Sequence, residues 1–228
     1  MKYGILCAMD EEIKALKTEL KKARQTEIAG ITFFEGKINN NEVVLVQSGI
    51  GKVQAGMTTG LLIAQFEVEA VINSGSAGGI GEGLHVGDVV LSTAAAYHDV
   101  DATVFGYLPG QLPQQPQKFE ADLQLIETLK KAAEQNQQHV ETGLIVTGDQ
   151  FVASSEKINT IKAIYPDVLC CEMEGAAIAQ VAAQFKVPFV IVRAMSDTGD
   201  EEAGVSFDEF IIEAGKKSAQ MILNVLAK

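Results

Sequence analysis

The chain has 228 residues, 18 basic and 30 acidic, for a formal net charge of −12, and 47% of it is hydrophobic. A chain of this length buries roughly 70% or more of the surface it exposes when unfolded, so one domain can hold its core without metal or disulfide. The negative charge argues against nucleic acid and an anionic membrane surface as partners, since each would be approached against its own charge.

Tyr3–Ala8 reads as a strand, and Glu11–Lys22 as a helix with Ile13, Leu16 and Leu20 along one face. Ile31–Ile38 and Glu42–Gln47 flank Asn39-Asn40-Asn41, a hairpin signal. A helix over Lys52–Phe66 follows, then strands Ala70–Ser74 and Asp88–Ser92 with a Gly-rich turn between them. Ala94–Phe119 has three prolines and no period, and reads as a long loop, which inside a compact domain is usually either functional or a sign that an element has been missed. Beyond it come helix Ala121–Gln135, strand Thr142–Thr147, helix Ser155–Ile164, strand Val168–Cys171, helix Glu174–Phe185, strand Phe189–Ala194 and helix Phe207–Leu226. This alternation predicts one α/β domain over residues 1–228, with helices around a central mixed, largely parallel sheet.

The cysteines are Cys7, Cys170 and Cys171, an odd number with two adjacent, which implies no disulfide framework. No run reaches the roughly 18 apolar residues of a membrane span. The first residues lack the charged region, length and cleavage site of a signal peptide, so a reducing, cytoplasmic setting is expected.

Several apolar strands run into small or polar residues: Met9-Asp10-Glu11-Glu12, Gly75-Ser76-Ala77-Gly78-Gly79, Glu172-Met173-Glu174 and Ser196-Asp197. Ligands of open α/β sheets sit outside the carboxyl ends of the strands, so parallel strands would bring these four segments to one crevice. Other motifs fail. Ser48–Val53 lacks the first Gly and the hydroxyl of a P-loop, and Gly75–Gly83 does not contain G-x-G-x-x-G. Ser74–Gly78 is one residue short of a nucleophile elbow, and no histidine follows His139. His98-Asp99-Val100-Asp101 has no second cluster to complete a metal site. The acids remain. Glu11 and Glu12 suit a helix N-terminus. Glu172 and Glu174 follow a strand of buried type, and a carboxyl buried where Asp197 ends the most apolar strand would have its pKa raised, as a general acid requires.

Eight segments in order then resemble a known family: Gly4–Glu12, Ser48–Val53, Asn73–Gly79, Tyr97–Tyr107, Thr147–Val152, Glu172–Ala176, Arg193–Asp197 and Ser206–Phe210. End to end, the chain resembles the bacterial 5′-methylthioadenosine/S-adenosylhomocysteine nucleosidases of the purine nucleoside phosphorylase superfamily. The resemblance implies hydrolysis of the N9–C1′ bond, releasing adenine and the 5-thio-substituted ribose, with 5′-deoxyadenosine a further candidate substrate and no cofactor or metal.

It implies that Asp197 protonates N7 and that Glu12 takes the proton of the attacking water, which Ser76 and Arg193 help to hold. Glu174 accepts from the ribose hydroxyls beside Met173. Phe151 stacks on adenine and the Val152 backbone reads its edge. Gly78, Glu172 and Ser196 complete the binding set, and Met9, Ile50 and Phe207 form an apolar pocket for the 5′ substituent. Residues matching Phe105, Tyr107 and Pro113 close that pocket across a homodimer interface. The rivals are a phosphate-dependent nucleoside phosphorylase, a futalosine or aminofutalosine nucleosidase, and a nucleoside-binding protein without turnover. The first would need cationic donors for phosphate, and the chain has only two arginines, Arg24 and Arg193.

Overall fold

The apolar runs become one ten-stranded mixed sheet in the computed structural model, which describes residues 1–227. In chain order the strands are β1 (Lys2–Cys7), β2 (Lys21–Ile28), β3 (Ile31–Ile38), β4 (Asn41–Gln47), β5 (Ala70–Gly79), β6 (Val89–Tyr97), β7 (Lys118–Glu120), β8 (Val140–Thr147), β9 (Val168–Glu172) and β10 (Phe189–Asp197). The helices are α1 (Asp10–Glu19), α2 (Lys52–Phe66), α3 (Leu123–Gln135), α4 (Ser155–Ile164), α5 (Gly175–Phe185) and α6 (Ala203–Leu226), with a short 3-10 turn at Thr103–Phe105. Among the described residues no helix is long and apolar enough to cross a membrane.

Parallel pairing joins β4, β1, β5 and β10 at the centre. Hairpins add β3 and β2 at one edge, where the β2–β3 turn uses Ala29 and Gly30 at φ 53° and 75°, the positive values that match the twist of a tight hairpin. At the other side the sheet closes on itself. β10 pairs β5 in parallel and β6 antiparallel, while β9 pairs β8 in parallel and β5 antiparallel. The convergence expected of four parallel strands therefore needs a correction, because β9 opposes β5. The two cross only at Gly78↔Cys171 and Gly79↔Cys170, so their C-terminal ends still meet.

Several boundaries differ from the sequence reading. α1 stops at Glu19, and Lys21–Ile28, largely exposed, is an edge strand that shows no apolar alternation because its side chains meet solvent. β5 runs on through Gly79 instead of turning after Ser74. Its glycines give space: a Cβ at Gly75 would lie 2.7 Å from an Arg193 nitrogen and 2.9 Å from Glu12 Oε1, and one at Gly78 would lie 2.8 Å from Asp197 Oδ1. β6 continues to Tyr97 past a register shift at Ser92–Ala94, so the Pro-rich segment is ordered at both ends, with β7 paired to β6. α6 begins at Ala203, four residues early.

Candidate active site

Where the ends of β1, β5, β9 and β10 meet, they enclose a cavity of 330 Å³. Glu12 enters it from the third position of α1, and its Oε2 accepts the N–H of Ala8 and Met9 at 2.9 and 3.1 Å. The glutamate thus caps its own helix, as the acidic N-terminus predicts. Its Oε1 accepts the Ser76 N–H and hydroxyl, each at 3.0 Å, which ties α1 to β5.

Asp197 closes β10 and is 2% exposed. The Ser196 hydroxyl donates to Oδ2 and the Gly199 N–H to Oδ1, both at 2.9 Å. Burial raises its pKa, and these two donors offset only part of that shift.

The third acid, Glu174, sits immediately before α5 and accepts the Gly51 N–H at 2.8 Å. Burial, with the nearby Glu172 charge, pushes its pKa up to about 7, although Arg193 and the Gly51 N–H work against the shift. Glu172 itself is spoken for. It pairs with the Arg193 guanidinium, accepts the Thr147 hydroxyl, and accepts the N–H groups of Glu174 and Gly175 at the start of α5.

Most residues singled out from the sequence come together here. Glu12, Ser76, Gly78, Glu174, Ser196 and Asp197 line the cavity; so do Glu172 and Met173. Met9, Ile50, Phe151, Val152 and Phe207 form its apolar side, where the rings of Phe151 and Phe207 meet edge to face at 5.6 Å. Arg193 is not among the residues that line the cavity. It lies beneath the cavity, 1% exposed, bonded to Asn73 at 2.6 Å and to Glu172, with Glu174 at 3.6 Å. Its guanidinium is thus a buried positive charge beside both glutamates.

Phe105, Tyr107 and Pro113 do not reach the cavity of their own chain. They sit on the long segment between β6 and β7, with Phe105 78% exposed. Sequence reasoning missed Ala8, Ala77, Gln150 and Cys171 as lining residues. Strand alternation carried the signal for the last, since Cys170 points into the core and Cys171 into the cavity. Among the described residues lining the cavity there is no Lys, Arg or His. No group of three His, Cys, Asp or Glu among the described residues is arranged to hold an ion.

The phosphorylase superfamily profile matches residues 2–227. The sequence is 48% identical to the 5′-methylthioadenosine/S-adenosylhomocysteine nucleosidase of Actinobacillus succinogenes, over 100% of this chain and 99% of that protein. The structure is similar to that of S-adenosylhomocysteine nucleosidase from Streptococcus pyogenes in complex with 5-methylthiotubericidin. The TM-score is 0.97 at 46% identity, over 99% of this chain and 96% of that one. It is similar as well to the S. pneumoniae 5′-methylthioadenosine/S-adenosylhomocysteine nucleosidase with a transition-state inhibitor, at TM-score 0.96 and 49% identity over 99% and 98% of the two chains. With matches of this identity running the length of the sequence, the chain belongs to the phosphorylase superfamily and, within it, to the 5′-methylthioadenosine/S-adenosylhomocysteine nucleosidases.

Proposed function

We infer that the chain hydrolyses the N9–C1′ bond of 5′-methylthioadenosine and S-adenosylhomocysteine, releasing adenine and the 5-thio-substituted ribose. The observation that carries this reading is a cavity lined by separately held carboxyls and, among the described residues, no cation. Adenine leaves poorly as an anion, so cleavage needs a proton on N7. Asp197, with its raised pKa, supplies it. Electron density then moves from the C1′–N9 bond into the protonated base, and the ribosyl group develops oxocarbenium character. Water adds to C1′ while Glu12 takes its proton.

All four hydrogen bonds to Glu12 are donated to it, so its next partner must also be a donor, as an attacking water is. Ser76 is placed to help hold that water, and Arg193 acts at one remove through Glu172 and Glu174. Glu174 accepts from the ribose hydroxyls, Phe151 stacks on the base beside Val152, and the 5′ substituent lies among Met9, Ile50 and Phe207.

A phosphorylase would need cationic donors for its phosphate, and the one guanidinium near the cavity is already engaged by Glu172, Glu174 and Asn73. Adenine release from methylthioadenosine, assayed in phosphate-free buffer and again with phosphate, tests the reading. Free methylthioribose in both is expected. Turnover only with phosphate, giving a ribose 1-phosphate, would overturn it.

The active form proposed is a homodimer in which Phe105, Tyr107 and Pro113 of each protomer close the other's 5′ pocket. The exposure of Val104, Phe105 and Leu108 on one segment supports this, because a single chain leaves that apolar surface uncovered. A single domain over the whole chain is supported by the continuous sheet. A cytoplasmic setting is supported by three buried cysteines that are all free thiols.

A further inference from the structure

The reaction leaves one charged cluster unused. Lys52 opens α2, and its ammonium lies 2.9 and 2.7 Å from the two Asp99 carboxylate oxygens and 3.6 Å from Asp149 Oδ2. Its backbone N–H donates to Asp149 Oδ1 at 2.9 Å, and the Asp149 N–H donates to Asp99 Oδ2 at 2.9 Å. The ammonium also stands 5.4 Å from the centre of the Tyr97 ring, whose hydroxyl donates to Gln180 of α5 at 2.6 Å. The Lys52 and Asp99 side chains are only 22% and 12% exposed, which separates this pair from the solvated ion pairs that contribute little.

Three loops meet at the cluster. Two residues before Lys52 is Ile50 on the cavity wall, and the intervening Gly51 N–H donates to Glu174. Two residues after Asp149 is Phe151. Asp99 follows β6 and precedes the segment that carries Phe105 and Tyr107. Gly49 and Gly51, at φ 84° and 96°, occupy a region that leaves the turn little intrinsic rigidity, and a Cβ at Gly51 would lie 3.2 Å from Asp149 Oδ1.

We propose that Lys52, together with Asp99, is a positioning residue for nucleoside binding. The Lys52–Asp99–Asp149 clasp holds the Ile50–Gly51 turn against the Phe151 loop, and through the Gly51 N–H it orients the Glu174 carboxylate. The proposal rests on the nucleosidase reading of the same cavity. Lys52 is not part of the cavity wall. Glu12 and Asp197 are held by α1, β5 and β10, outside the clasp. Its removal therefore weakens the grip on ribose and base more than it slows bond cleavage. Burial works against the Asp99 carboxylate, yet Lys52 and the Asp149 N–H hold its pKa below the ordinary aspartate value. Without the ammonium, two carboxylates face each other across the junction and drive the loops apart.

The test is steady-state hydrolysis of methylthioadenosine by the full chain and by Lys52→Met, Asp99→Asn, the double variant and Lys52→Arg. Each loss variant should raise KM about tenfold with kcat within about twofold, and the double should be no worse than the worse single, as for two members of one unit. Lys52→Arg should recover most of the loss, since a guanidinium pairs with Asp99 as well. Unchanged KM, a fall in kcat at constant KM, or additive effects would each overturn the clasp. So would altered sedimentation at assay concentration, which would move Lys52 to a role in assembly. If thermal melting shows Lys52→Met unfolded, Asp99→Asn decides alone, because it keeps the side-chain shape and the acceptor for Asp149. A parent chain that releases no adenine defeats the nucleosidase reading instead. The clasp is then judged from methylthioadenosine affinity by calorimetry, where equal affinity of parent and Asp99→Asn overturns it.

Discussion

Four donors face Glu12 and two face Asp197, and this difference separates the two proton-handling roles proposed for them. Asp197→Asn keeps the shape and both neighbours but carries no transferable proton. It should lower kcat by about 10²–10⁴-fold, the worth of a placed general acid, while calorimetry still detects nucleoside binding. Glu12→Gln should fall comparably, and near-parental turnover in either would defeat that residue's role. Glu174 makes a prediction about pH. Its carboxyl, pushed up to about 7, binds a proton more tightly in the folded chain than when unfolded. The stability it contributes is therefore complete below the ordinary glutamate range and is lost as pH rises through about 7. Glu174→Gln should melt above the parent at pH 8 and lose that advantage by pH 4.5. The parent's kcat/KM should also fall as pH drops below about 7, because the protonated acid accepts poorly from ribose hydroxyls. A parent and variant whose melting temperatures track each other across this range would count against the assignment.

At the scale of elements, the site depends on how closely helices approach the strand ends. Gly215 of α6 lies against the first turn of α1, where a Cβ would stand 2.8 Å from the Glu11 carbonyl oxygen and 3.1 Å from the Glu12 Cα. Both are backbone atoms, so neither can swing aside. Gly215→Ala should cost about 1–3 kcal/mol of stability, as overpacking does. It should also depress kcat, because Glu12 itself is displaced, and misplacement by about 1 Å can cost 10²-fold. Gly204→Ala on the same helix is the contrast. A Cβ there meets nothing within 4 Å, and helix propensity favours alanine by about 0.5–1 kcal/mol. Melting curves and turnover for the pair check the argument; equal behaviour of the two would refute it.

For the whole molecule, the exposed segment between β6 and β7 is the feature a lone chain does not explain. Phe105 at 78% exposure and Val104 at 84% are costly to leave in water unless another surface covers them. Sedimentation should show a dimer. Phe105→Ala should raise KM for methylthioadenosine several-fold while barely lowering the melting temperature, since the ring is 78% exposed within its own chain. A stable monomer of full activity would remove the shared pocket.

Much of the architecture was legible in advance because apolar alternation and amphipathic period report which faces are buried. The strands and helices from Lys52 onward, β7 apart, therefore overlap the segments where the pattern placed them, though β5 and β6 run further, and acids at strand ends pointed to the cavity. The pattern could not show partners. Lys21–Ile28 is a strand only because β3 supplies its hydrogen bonds, and its exposed side chains leave no trace of that. Gly75 and Gly78 looked like a turn, yet they are strand residues whose missing Cβ atoms make room for Arg193, Glu12 and Asp197. Arg193 bonds Asn73 from 120 residues away, and Lys52 reaches Asp99 across 47. The sequence by itself determined the α/β class, the chemical groups of the site and the family. The tertiary structure alone decided that β9 opposes β5, that Arg193 lies beneath the cavity and that Lys52 joins three loops. The physical reason is that local periodicity encodes burial, while pairing and charge neutralisation depend on which distant segments packing brings within a few ångströms.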